Sequence, residues 1–324
     1  YYASRGLGDV YKRQAYKGAK SIVVLCNVYA VYIKIMNNEN QTIHKSDDNL
    51  TIYGWNEKLN QLKQESIYSA LAHGRVSIVH RTCYEVISGN GLFQCELTGN
   101  MMYGKSDDEL PCTGDWVIFQ PFDEHKGIIV DSLPRERTLY RKKSGTVADK
   151  QAIASYVDKA FIVQSLDDNF NVRRVERFMV QIMEENISSV LVLNKADLDF
   201  DRQSVEEQIK HISSQIPVFF TSIHQPETIV RLRKSISEGE TVVFVGSSGV
   251  GKSSLVNALC EKSVLLTSDI SLSTGKGRHT STRREMVLMN GSGVLIDTPG
   301  VREFGLVIDL SLIHISEPTR RVVI

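Results

Sequence analysis

Three short segments of this chain constrain its fold through the order in which they occur. Asn194-Lys195-Ala196-Asp197 comes first, Gly246-Ser247-Ser248-Gly249-Val250-Gly251-Lys252-Ser253 second, and Asp297-Thr298-Pro299-Gly300 third. Each follows an apolar run, respectively residues 189–193, 241–245 and 294–296. Apolar runs of that length that end in polar loops read as buried strands of a parallel sheet, and open α/β sheets bind their ligands at the carboxyl edge of such strands. The second segment is a Gly-rich turn between a strand and a helix start, the context a phosphate loop requires. In nucleotide-binding sheets that carry all three segments, the phosphate loop ordinarily leads and the Asn-Lys-x-Asp segment follows. The order here requires such a sheet to have been cut and rejoined elsewhere.

The rest of the chain fits two patterns. From Gly74 to Phe122, short β-rich runs (RVSIVHR, YEVIS, GLFQCELTG, GDWVIFQ) are separated by Gly, Asn and Asp turn signals. About five such strands with Gly-marked bends suit a small barrel of the OB type, which often binds oligonucleotides or structured RNA. Before it, Trp55 to Ala72 has helical spacing of Leu59, Leu62, Ile67 and Leu71 and is expected to flank the barrel. After Pro134 the runs change. A strand ending at Gln164, a helix over 172–185, a strand over 189–193, a helix over 205–212, and strands over 218–220, 241–245, 285–289 and 294–296 alternate as in a doubly wound, mostly parallel sheet. Arg135 to Lys143 (RERTLYRKK) reads as a basic linker between the two patterns, either simply solvated or contacting RNA backbone. Over 324 residues, Lys plus Arg equals Asp plus Glu at 38 each, so nucleic-acid contact must come from local patches. The five cysteines are scattered without metal-ligand spacing, and the apolar run 21–36 is too short for a membrane span and contains Lys34.

The chemistry follows from the segments. Gly246, Gly249 and Gly251 let the backbone approach phosphates, while loop N–H groups and the helix N-terminus stabilise the anion. Lys252 is expected to reach the β and γ phosphates, and the Ser253 hydroxyl to ligate Mg²⁺. Asp197 can accept two hydrogen bonds from guanine, which adenine cannot offer, so guanine is the favoured base. Ser222, in the Thr221-Ser222-Ile223 segment, is expected at the loop that packs on the base. Asp297 is placed to hold the Mg²⁺ shell through water, and the Gly300 N–H to sense the γ phosphate. Many GTPases have a water-orienting Gln immediately after this segment, but here the residue is Val301. The polar loop 273–282 (STGKGRHTST) has the hydroxyls and glycines of a mobile switch, and His279 is the nearest candidate to replace the missing Gln. The expected GTP-binding set is Asn194, Lys195, Ala196, Asp197, Ser222, Gly246 through Ser254 (Ser247, Ser248, Gly249, Val250, Gly251, Lys252, Ser253 and Ser254), Thr280 and Gly300. The expected Mg²⁺ set is Ser253, Thr280, Thr282 and Asp297, and the expected catalytic pair is His279 and Lys252.

An OB-like barrel followed by NKAD, GSSGVGKSSL, GRHTST and DTPG resembles the circularly permuted RsgA family of GTPases, which assist small ribosomal subunit assembly. The resemblance runs from about Tyr53 to Leu306 and includes GRVSIVHRTCYEVIS and LPCTGDWVIF as barrel strands. It implies an α/β P-loop GTPase domain with permuted motif order behind an OB-type barrel. It also implies Mg²⁺ with GTP, GTP hydrolysis stimulated by the 30S subunit, 16S rRNA contact late in maturation, and a cytoplasmic monomer with no membrane partner. The resemblance marks one of Thr280 to Thr282 as the switch threonine and His279 as the hydrolysis residue. The family continues into a zinc-binding helical module, whereas no cysteine follows Cys260 here, so zinc is not carried over. Residues 4–14 and 310–320 resemble translated sequencing-adapter sequence and are set aside from fold reasoning. The expected organisation is a non-native or disordered segment over 1–50, helix plus barrel over 51–133, a permuted GTPase domain over 134–306, and a non-native tail over 307–324. Two other readings remain open: an RNA-binding module that nucleotide merely regulates, and a large-subunit assembly GTPase of the same permuted class. The barrel ahead of Asn194 argues against the latter.

Overall fold

The computed structural model describes residues 48–106, 108–142, 150–261, 284–289 and 293–298. The chain divides into two units, Tyr1–Asp48 and Asn49–Ile324, and the description concerns the second. A 3-10 turn at Asp48–Tyr53 leads into α1 (Glu57–Glu65), whose Asn56 cap accepts from the Leu59 N–H. The barrel comprises β1 (Ala72–Val79), β2 (Tyr84–Ser88), β3 (Gly91–Leu97), the short α2 (Gly99–Gly104), β4 (Trp116–Asp123) and β5 (Lys126–Ser132). A hairpin of β6 (Leu139–Lys142) and β7 (Lys150–Ala154) follows. Then come β8 (Lys159–Ser165), α3 (Val172–Glu184), β9 (Ser188–Asn194), α4 (Arg202–Gln208), α5 (Lys210–Ser213), β10 (Val218–Thr221) and α6 (Pro226–Arg233). The last described elements are β11 (Thr241–Val245), α7 (Lys252–Leu259), β12 (Glu285–Leu288) and β13 (Val294–Asp297).

Strand pairing closes the first set into an OB-type barrel. β1 pairs with β2, β2 with β3, and β4 with both β5 and β1, all antiparallel, while β3 and β5 run parallel. The alternation expected of a barrel appears along β2, where Tyr84, Val86 and Ser88 are buried between less buried neighbours. Val76, Val86, Phe93, Cys95, Val117, Phe119 and Ile129 fill the interior.

The second set is a sheet in the order β10-β9-β8-β11-β13-β12, parallel except for β12. Its strands are apolar on both faces because helices cover both. On one face, Val175, Phe178 and Ile182 of α3 pack with Ile162, Leu191, Leu193 and Val243. On the other, Ile229 and Leu232 of α6 and Leu255 and Val256 of α7 pack with Phe161, Val163, Val192 and Phe244. The two sheets are continuous, since β12 pairs with β1 at Glu285 and Ile78.

Several expectations change. The helix read over 55–72 stops at Glu65, because the Ser66 N–H turns back to the Lys63 carbonyl, and Ile67 is exposed rather than core-facing. The helix read over 205–212 is broken at Ile209 into two short pieces. The Arg135–Lys143 stretch is not a solvated linker in its described part. Arg135 bonds both carboxylate oxygens of fully buried Asp115, at 2.7–3.0 Å, Arg137 pairs with Asp158 at 3.0 Å, and residues 139–142 form β6. Burial opposes the Arg135 charge, but Asp115 outweighs it and raises its pKa. β5 and α2 had no counterpart in the sequence reading. Among the described residues no helix is long and apolar enough to cross a membrane. The adapter-like ends, the apolar run 21–36 and the 307–324 tail lie outside the described residues.

Candidate nucleotide site

The three segments meet at the carboxyl edge of the second sheet. β9 ends in Asn194, β11 runs into Gly246, and β13 ends in Asp297, each beside its parallel neighbour. Asn194 is buried and joins the first two segments: its Nδ2 donates to the Val250 carbonyl at 2.9 Å, and its Oδ1 accepts from Thr221 Oγ1 at 3.3 Å. The loop can lie this close only as glycine. A Cβ on Gly251, at φ +93°, would fall 2.3 Å from Asn194 Nδ2, and one on Gly246, at φ +153°, would fall 2.4 Å from the Val163 carbonyl.

The Asn194–Asp197 segment is shaped by its neighbours. Lys195 adopts φ 63°, the Ala196 N–H donates to the Thr221 carbonyl at 3.0 Å, and the Lys195 ammonium pairs with Asp167 at 2.7 Å. Burial pushes the Asp167 carboxyl up, but bonds from Lys195, Ser165 and the Asn169 N–H outweigh it and hold it below its ordinary value. Asp197 is exposed and accepts from the buried Ser222 hydroxyl at 2.5 Å, the main reason its pKa is also lowered. A carboxylate held ionised at the surface, one oxygen engaged from behind, suits a pair of donors arriving from solvent.

At the phosphate loop, the buried Lys252 donates to the Gly246 and Ser247 carbonyls at 3.0 and 2.9 Å, and burial lowers its pKa to about 8 against the opposing pull of Asp297. Ser248 and Gly249 form the more exposed tip, and Gly251 caps α7, whose first turn holds Ser253 and Ser254. Ser253 Oγ donates to Asp297 Oδ2 at 2.7 Å, while the buried Asp297 Oδ1 has no hydrogen-bond partner. Burial raises the Asp297 pKa despite the Ser253 bond and the Lys252 charge. A hydroxyl beside a desolvated carboxylate with an unpartnered oxygen fits a hard, oxygen-seeking cation such as Mg²⁺, which typically takes one or two protein oxygens and completes its shell with water and phosphate. Among the described residues no group of three or more His, Cys, Asp or Glu could hold a metal by itself.

The sequence model of the family described as RsgA GTPase matches residues 132–307. A Bacteroides thetaiotaomicron protein named small ribosomal subunit biogenesis GTPase RsgA 1 is 73% identical over 274 residues, 85% of this chain and 75% of that protein. The chain belongs to the RsgA GTPase family. It is therefore a GTPase, a hydrolase of the GTP phosphoanhydride, with permuted motif order. A Methanosarcina acetivorans protein named small ribosomal subunit biogenesis GTPase RsgA is 36% identical over 281 residues, covering 84% of this chain and 74% of that protein. The crystal structure of YjeQ from Thermotoga maritima superposes with a TM-score of 0.53 at 24% identity, over 71% of this chain and 74% of that one. That of YloQ, described as a circularly permuted GTPase, gives 0.50 at 22%, over 72% and 73%. At such identities these two structures bear on the fold alone.

The structure thus gathers Asn194, Lys195, Ala196, Asp197, Ser222, the loop 246–254 and Asp297 at one edge. His279, Thr280, Thr282 and Gly300 lie outside the described residues. Sequence reasoning missed Asp167, which pairs with Lys195, and Arg174, whose Nη1 donates to Ser247 Oγ at 3.2 Å. Asp167 sits just past a strand already read, where a polar residue at the carboxyl edge was the available signal. Arg174 had none, because its helix read as ordinary amphipathic packing.

Proposed function

We propose that this chain hydrolyses GTP to GDP and phosphate as a switch in late small-subunit maturation, with the 30S subunit and 16S rRNA as partners, in the cytoplasm and as a monomer. The observation that carries the reading is the pair of contacts Asn194 to Val250 and Ser253 to Asp297, which bring three segments far apart in sequence together, as a joint guanine, phosphate and cation site would require. Relatives named for small-subunit biogenesis, and a closed OB-type barrel of a kind that often binds RNA, support the choice of partners.

In the proposed mechanism Asp197 reads guanine, with Ser222 behind it and Lys195 held by Asp167. On nucleotide binding, Lys252 exchanges the Gly246 and Ser247 carbonyls for β and γ phosphate oxygens, while the loop N–H groups line the phosphates. Ser253, and Asp297 through water, would hold Mg²⁺, with one of Thr280 to Thr282 completing its shell in the GTP state. The ion would neutralise charge between the β and γ phosphates. Gly300 would sense the γ phosphate, and His279 would orient the attacking water in place of the glutamine that Val301 replaces.

The test measures phosphate release from GTP and ATP with and without Mg²⁺ and purified 30S subunits. Release that is GTP-selective, Mg²⁺-dependent and stimulated by 30S subunits is expected. Equal turnover of ATP would refute the guanine assignment, and indifference to 30S subunits would refute the partner.

A further inference from the structure

We propose that Arg174 is a catalytic residue of GTP hydrolysis, an in-chain cation that contacts the γ phosphoryl group as it transfers. Arg174 is the third residue of α3, and its backbone N–H is fixed by the Asn171 cap at 3.1 Å. From there its side chain leaves the helix for the phosphate loop. Nη1 donates to Ser247 Oγ at 3.2 Å and to the Asn169 carbonyl at 3.3 Å, and neither Nε nor Nη2 has a partner among the described residues.

Several other half-buried cations near the sheet and barrel are held by carboxylates. Arg135 has Asp115, Lys159 has Glu240, and Lys195 has Asp167. Arg75 is fully buried, with its guanidinium spent on Tyr53, Gly114, Thr241 and Tyr156. Arg174 alone combines half-burial, contact with the phosphate loop and no carboxylate partner among the described residues. A guanidinium that keeps most of its fork of donors unspent beside a phosphate loop is organised to receive a phosphate oxygen.

The chemistry creates a demand for it. In hydrolysis a water oxygen bonds to the γ phosphorus, the bond to the β–γ bridging oxygen breaks, and the water proton leaves with phosphate. Arg174 exchanges no proton and acts only by neutralising the charge that spreads over the γ oxygens and the leaving GDP. Lys252 and the cation would share this charge, and the Val301 side chain has no charge to add to theirs. In GTPases that receive such an arginine, from their own chain or a partner, the gain is roughly 10³- to 10⁵-fold in kcat. Ser247 and Asn169 hold the guanidinium at the loop before nucleotide arrives, which lowers the cost of ordering it.

The inference rests on the hydrolytic reading above, and the experiment separates the two. Single-turnover GTP hydrolysis by the full chain is compared with Arg174→Ala, Arg174→Gln and Arg174→Lys. Affinities for GDP and for GDP with aluminium fluoride, a mimic of the transferring phosphoryl group, are measured in parallel. The expected result is a loss of about tenfold or more in kcat for Ala and Gln, partial recovery for Lys, and GDP affinity within about threefold of the unsubstituted chain. The extra affinity that fluoride adds should fall in step with kcat. Hydrolysis within about twofold of the unsubstituted chain would overturn the proposal, as would kcat and GDP affinity falling together with fluoride unaffected, the mark of a merely structural contact. Absence of hydrolysis by the unsubstituted chain would instead sink the hydrolytic reading itself, and this inference with it.

Discussion

The bond from Asn194 to Val250 spans the first two segments of the permuted order, so Asn194→Ala tests whether that order produces a single site. Both partners are fully buried: the Val250 carbonyl would lose its Asn194 donor, and the Thr221 hydroxyl its acceptor. A buried polar group left unsatisfied costs about 1–3 kcal/mol. The Thr221 bond is long at 3.3 Å and contributes at the low end, so the total expected is about 2–3 kcal/mol. Under the proposed function part of it should appear in nucleotide binding, because the 246–253 loop loses its tether to the end of β9. The nucleotide affinity is expected to fall by roughly ten- to a hundredfold, each factor of ten being about 1.4 kcal/mol. Urea unfolding at constant m-value gives the first quantity and titration with GDP the second. A cycle with Thr221→Val isolates the coupling, expected at about 0.5–1 kcal/mol. A stability loss below about 1 kcal/mol, or a full loss with GDP affinity untouched, would refute the argument that this bond unites the site.

Asp197→Asn should weaken GTP about a hundredfold or more and improve xanthosine triphosphate, because two charge-assisted bonds to guanine are lost while the amide complements xanthine; unaltered base preference in competition binding would contradict the assignment. Ser222→Ala removes the main cause of the low Asp197 pKa. The carboxylate is ionised above its pKa, so the acid limb of GTP affinity should shift to higher pH in the variant, with no change near neutrality; titrations from pH 3 to 7 that superpose would refute this. Asp115→Ala leaves the Arg135 guanidinium buried without its carboxylate and should cost about 3–5 kcal/mol in denaturant unfolding, whereas a surface linker arginine would register almost nothing. Spin labels at exposed Tyr103 on the barrel side and Val180 on α3 should keep one distance between GDP and non-hydrolysable GTP states; a shift of several ångströms would show that barrel and nucleotide sheet move apart.

Much of the site was legible because phosphate loops and their partners are local. A strand, a glycine turn and a helix start lie within one stretch of chain, so the local structure of residues 241–253 was legible from the sequence. The parallel strands were equally plain, since burial on both faces leaves uninterrupted apolar runs. What the sequence hid was set by tertiary partners. β5 alternates in burial, but it carries Ile128, exposed, and Ile129, buried, side by side, so its sequence shows no apolar–polar alternation. The charge of Arg135 looks solvated until Asp115 is placed opposite it from twenty residues away. Arg174 reads as the polar side of an amphipathic helix, and only the fold reveals its contact with Ser247, seventy-three residues on.

The join between barrel and nucleotide sheet bears on what the switch can move. β1 supplies Ile78 to the pairing with β12, the antiparallel neighbour of β13, which ends in Asp297. The same strand sends Arg75 to Thr241 Oγ1 at 2.9 Å, at the start of β11, whose other end opens the phosphate loop. Burial lowers the Arg75 pKa to about 10 against the pull of Asp158, Tyr156 and Asp115, and among the described residues no carboxylate bonds it; its donors go to the Tyr53, Gly114 and Tyr156 carbonyls and to Thr241 Oγ1. Swinging the barrel away would break the Arg75 bond to Thr241 and the β1–β12 pairing together. A γ phosphate binding at the far, carboxyl edge of β11 has little leverage on a joint anchored at its amino end. The barrel is therefore a continuous extension of the nucleotide sheet, joined to it by the β1–β12 pairing and by the Arg75 bond to Thr241.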